Sequence, residues 1–124
     1  MLEVREVNSL VELKESREQG VLVVEMHGKL DITTVPHFKE RSASWVEGDH
    51  RALVLDFAHV SFVDSSGLGS LVALFKHIKS KEGRLALCCL SQEIQGVFSI
   101  TRLDRVIPVY EDRSRAVEEM KGQP

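Results

Sequence analysis

Val63-Asp64-Ser65-Ser66-Gly67-Leu68-Gly69 sets a carboxylate and two hydroxyls directly before a pair of closely spaced glycines. Such a group could do chemistry in several ways, and the spacing tests each of them. A nucleophile elbow requires Gly-x-Ser-x-Gly, yet Val63 and Asp64 occupy the places where its first glycine would stand. A phosphate-cradling loop of the Walker type ends in Gly-Lys-Ser/Thr, which this stretch lacks. A dinucleotide fingerprint needs a third glycine at position 72, where Val72 stands. What remains is an acid and two hydroxyls at the start of a helix. Capping by Asp64 or by a serine accounts for one of them. It does not call for three polar residues followed by two glycines, so a structural and a functional reading both stay open on local chemistry.

Other reactive side chains are scattered. His27, His37, His50, His59 and His77 show no metal-ligand spacing with one another or with the cysteines, so neither a metal site nor a cofactor is expected. His77 lies among Lys76, Lys79 and Lys81, as on a solvated helix face. Cys88 and Cys89 are neighbours in an apolar run, where a mutual disulfide would be strained. They read as small hydrophobes of a buried strand in a reducing compartment.

The elements that must position these residues alternate along the chain. Strands are expected near 10–15, 21–27, 52–57, 85–90 and 106–110, with Glu18-Gln19-Gly20 turning the first back into the second. Pro108 places the last strand at a sheet edge or a strand end. Helices are expected near 34–47, 66–82, 92–101 and 112–121. Val35, Phe38, Ser42, Trp45 and Val46 share one face of the first, with Pro36 in its opening turn. Leu68, Leu71, Val72, Phe75 and Ile78 form the apolar stripe of the second, so Trp45 and Phe75 are both expected in the core. Ser91 and Asp112 can cap the last two, which present Ile94, Val97 and Phe98 and then Ala116, Val117 and Met120. Strands alternating with helices of this length make an α/β domain with a mostly parallel, five-strand mixed sheet and about four helices. In such sheets the functional groups gather on loops at the carboxyl ends of strands, which is where 63–69 falls.

Composition narrows the partners. The 124 residues are 43% hydrophobic and 28% charged, with a net charge of −3. That balance fits one soluble domain and gives no electrostatic reason for nucleic-acid or anionic-membrane binding. Runs such as Val21 to Val24 and Leu85 to Leu90 are far shorter than the roughly 20 apolar residues that cross a bilayer. Met1-Leu2-Glu3-Val4-Arg5-Glu6 carries acids where a signal peptide is basic and then apolar, so a cytoplasmic location is expected.

Asp64-Ser65-Ser66-Gly67-Leu68-Gly69, preceded by Leu53-Val54-Leu55-Asp56-Phe57 and Val60-Ser61-Phe62-Val63, resembles the signature of anti-sigma factor antagonists of the STAS domain family. Gly28-Lys29-Leu30-Asp31 is similar to that family's Gly-x-Leu-Asp turn. The likeness implies a STAS domain over 10–121, with 1–9 an N-terminal extension. It implies a non-catalytic binding module that, unphosphorylated, holds an anti-sigma factor serine kinase of the histidine-kinase-like ATPase type. The kinase would phosphorylate Ser65 and a serine phosphatase would reverse it. Asp31, Asp64, Ser66, Gly67, Leu68 and Gly69 then belong to the partner-binding switch loop. A STAS subunit of another assembly, in a stress complex or in lipid transport, is the alternative. A small serine hydrolase using Ser65 or Ser66 is more remote.

Overall fold

The computed structural model describes residues 10–48 and 51–122; the expected extension at 1–9 lies outside the described residues. A five-stranded sheet runs in the order β1-β2-β3-β4-β5. Its strands are β1 (Glu12–Glu18), β2 (Val21–Leu30), β3 (Ala52–Val63), β4 (Arg84–Cys88) and β5 (Val109–Tyr110). β1 pairs antiparallel with β2, and the remaining pairs are parallel. Gln19 and Gly20, with φ of 53° and 84°, make the two-residue turn between β1 and β2. Two left-handed residues in succession match the twist of a tight hairpin.

Between the parallel strands run α1 (Val35–Glu47), α2 (Ser65–Ser80) and α3 (Gln92–Ile100), and α4 (Arg113–Met120) follows β5. Each crossover adds the next strand on the same side, so α1 to α3 share one face of the sheet. There Phe38, Trp45, Leu71, Leu74, Ile78, Ile94 and Phe98 pack on Leu22, Val24, Met26, Leu53, Leu55, Phe57 and Leu87. Each large side chain fully buried in this way contributes about 1.5–3 kcal/mol. Trp45 also donates its indole N–H to Glu15 Oε2 at 2.8 Å, and Glu15 pairs with Arg41.

The opposite face is thinner. Ala116, Val117 and Met120 of α4 pack on Val21, Val23, Ala52, Val54, Ala86 and Cys88. Beyond this patch an ionic hub takes over. Arg113 donates from Nε to Asp56, from Nη1 to Glu18 and from Nη2 to Glu25, each at 2.9 Å. One guanidinium thereby joins β1, β2 and β3 to α4.

The expected elements stand, with four local corrections. Phe75 is only half-buried, with Lys79 Nζ 5.8 Å over its ring, and Leu74 takes the core position. Strand β3 does not stop at Phe57; two bulges carry it to Val63. β4 ends at Cys88, because Cys89 turns left-handed with φ of 65°. The run 106–110 is a strand only at Val109–Tyr110: Pro108 has no N–H to give, and its carbonyl merely accepts from Leu87 N.

Candidate functional site

Strands β2 and β3 end side by side, at Leu30 and Val63, and the chain leaves each through a polar corner. At the second corner Asp64 is the N-cap of α2 in extended conformation, with Oδ1 accepting from Gly67 N at 2.9 Å. Its Oδ2 accepts from Ile32 N at 3.1 Å, across to the first corner. Asp64 N in turn donates to Leu30 O at 3.2 Å. The capping role of Asp64 is therefore real, and the same carboxylate also stitches the two corners together.

The two glycines differ. A Cβ on Gly67 would lie 2.2 Å from Leu30 O and 3.0 Å from a Val63 methyl, so only glycine lets α2 approach the end of β2. A Cβ on Gly69 would meet nothing within 4 Å, and Gly69 is exposed. Packing requires the first and does not require the second. Leu68 between them is half-buried against the main core.

Asp31 folds its carboxylate back on its own loop. Oδ1 accepts from the Thr33 hydroxyl at 2.6 Å and from Thr33 N and Thr34 N at 3.0 and 3.3 Å. The Thr33 hydroxyl bond is the main reason its pKa lies below the ordinary carboxylate value. Thr34 begins α1, but its hydroxyl donates to Lys29 O at 2.8 Å instead of capping the helix. Asp31 and Asp64 are thus joined through the short link from Asp31 to Ile32. Both carboxylates are occupied by neighbouring donors.

Ser65 and Ser66 open α2. Ser65 is exposed, Ser66 half-buried, and neither hydroxyl has a hydrogen-bond partner among the described residues. Their backbone N–H groups belong to the first helical turn, which has no intrahelical acceptor. The dipole and these free donors make the spot tolerant of an added anion.

Two apolar residues beside this polar center were missed in the sequence. Ile32 is 70% exposed and Phe62 is 49% exposed. The bulge that pairs Gly28 with Val60 but Lys29 with Phe62 leaves Phe62 at the surface while Val63 enters the core. Three apolar residues among Val60, Phe62 and Val63 break strand alternation, which was the available signal. Ile32, alone between Asp31 and Thr33, was the other.

Comparisons with known proteins show the family and the fold. The STAS domain profile matches residues 13–116. The anti-sigma F factor antagonist of Paenibacillus polymyxa is 27% identical over 116 residues, covering 93% of this chain and 97% of that one. The anti-sigma-B factor antagonist of Listeria monocytogenes is 31% identical over 103 residues, covering 83% and 90%. The structure of an anti-sigma-factor antagonist domain protein from Planctomyces limnophilus superposes with a TM-score of 0.79 at 26% identity, covering 87% and 97%.

Proposed function

The chain belongs to the STAS domain family, and from that premise we propose that it is an anti-sigma factor antagonist, a binding protein switched by phosphorylation of Ser65. The domain occupies 10–121. In the unphosphorylated state the corner formed by Asp31, Ile32, Phe62, Asp64 and the first turn of α2 docks on an anti-sigma factor. That partner is a serine kinase of the histidine-kinase-like ATPase type, and a serine phosphatase restores the free hydroxyl. The names of the relatives support an anti-sigma factor as the partner. Among the described residues no helix is long and apolar enough to cross a membrane.

One observation carries the residue assignment: Ser65 is exposed at the start of a helix whose cap is already fixed by Asp64. A phosphate there adds about −1.5 to −2 charges. The helix N-terminus accommodates them, so the fold persists. A partner covering Ile32 and Phe62 meets the new bulk and charge beside Asp64, so the penalty falls on the complex. Gly67 and Asp64 hold the corner in place, and exposed Gly69 keeps the rim of α2 low for the partner. A hydrolase would instead need a base within reach of a serine hydroxyl, and neither Ser65 nor Ser66 has a hydrogen-bonded histidine among the described residues.

The test is mass-spectrometric site mapping after incubation with the cognate kinase and ATP. Phosphate on Ser65, absent from Ser65→Ala and retained in Ser66→Ala, is the expected result. Phosphate on Ser66 with Ser65 untouched contradicts the assignment.

A further inference from the structure

On the face of the sheet that carries α4, Glu25 and His27 of β2 stand beside His59 of β3. Regular pairing would set Ala58 opposite His27, since Glu25 pairs with Asp56. A bulge inserts one residue on β3, and His27 pairs with His59 instead. The two imidazoles stack with centroids 4.4 Å apart and planes at 12°. The bulge is held by Asp56, whose Oδ1 accepts from Ala58 N at 2.9 Å. A bulge of this kind re-aims a side chain, and core packing does not explain one whose aimed residue is exposed.

We propose that Glu25, His27 and His59 form a binding site for a divalent transition-metal ion of the zinc class. One ligand atom from each lies within 4.8 Å of the other two. Glu25 Oε1 and His27 Nε2 are already 3.0 Å apart, close to the roughly 3.3 Å that neighbouring ligands of a tetrahedral zinc ion span. His59 is at the surface, so its ring turns inward without disturbing the core. The other oxygen of Glu25 is held by Arg113 Nη2 at 2.9 Å. That outer contact fixes the carboxylate, and the ion would displace the proton that Glu25 Oε1 and His27 Nε2 now share. Two imidazoles and one carboxylate, with a coordination position left to solvent, suit zinc better than the oxygen-seeking calcium or magnesium. The site shares no residue with the Ser65 corner, so either can fail without the other.

Asp56, Cys88 and Cys89 form a neighbouring trio. It is a poorer site: Arg113 Nε and Ala58 N take the two Asp56 oxygens, and burial pushes the Cys88 thiol up, away from the thiolate a metal needs.

The test is titration of the metal-free chain with Zn²⁺ against a chromophoric chelator, while the histidine ring signals are followed by NMR. One equivalent should bind and shift His27 and His59. His59→Ala, a surface change that spares the core, should weaken binding by about tenfold or more, at least what losing an outer partner costs. Glu25→Gln should do the same, and His77→Ala and Cys89→Ser should leave affinity unchanged. Equal affinity in the chain and in His59→Ala overturns the proposal, as does a loss confined to Cys89→Ser or the absence of binding.

Discussion

Strands β2 and β3 carry two clusters built around carboxylates, one at their carboxyl ends and one on the α4 face. In both, the buried or capping acid is fully engaged. Asp64 accepts from Gly67 N and Ile32 N; Asp56 accepts from Ala58 N and Arg113 Nε. The groups left over differ. The first cluster leaves the exposed Ser65 hydroxyl and first-turn N–H groups that have no intrahelical acceptor. The second holds the exposed His59 ring stacked on His27, whose Nε2 meets a Glu25 carboxylate oriented by Arg113. An acid whose oxygens are all taken fixes geometry, and the groups around it carry the two proposals: a phosphate on Ser65 at one place, a cation at the other.

Substitutions can break this division of roles. Gly67→Ala should have the largest effect, since its Cβ would press on the Leu30 carbonyl oxygen. A loss of about 3 kcal/mol in denaturant unfolding is expected, because backbone yields poorly to overpacking. Asp56→Ala comes next, orphaning both the bulge amide and one side of Arg113. About 2 kcal/mol should be lost, and the His27–His59 ring contact should loosen in NMR spectra while kinase binding persists. Asp64→Ala should cost about 1 kcal/mol as a lost cap, with faster amide exchange at both Gly67 and Ile32. Exchange raised at Gly67 alone would show that the two corners are not coupled. Gly69→Ala should do least to the fold, gaining up to about 1 kcal/mol in helix propensity, yet it should weaken partner binding by placing a methyl on the docking rim. Unchanged binding would remove Gly69 from that surface.

The elements were legible because periodicity reports burial. The stripe Phe38, Ser42, Trp45 and Val46 and the caps Asp64, Ser91 and Asp112 all stand as the sequence implies. Phe75 misled because two adjacent apolar positions, 74 and 75, both lie near the helix stripe, and only the packed sheet decides between them. The Asp64 cap of α2 was legible because local spacing carries it, whereas the proposed role of Ser65 rests on the resemblance of Asp64-Ser65-Ser66-Gly67. Ile32 and Phe62 were not, since their exposure depends on a bulge and on a bond from a distant carboxylate. His27 and His59 were invisible for the same reason. They meet across two strands through an inserted residue, and no spacing rule along the chain records that.

The central claim concerns Ser65, and affinity measures it most directly. The chain made with phosphoserine at position 65 should be compared, by calorimetry, with the unmodified chain for binding the anti-sigma factor kinase retained from its own organism. The fold should be unchanged by circular dichroism, and affinity should fall by roughly a hundredfold, as expected when uncompensated like charge enters an interface. Affinities within about twofold of each other, with the phosphate confirmed on Ser65, would contradict the switch.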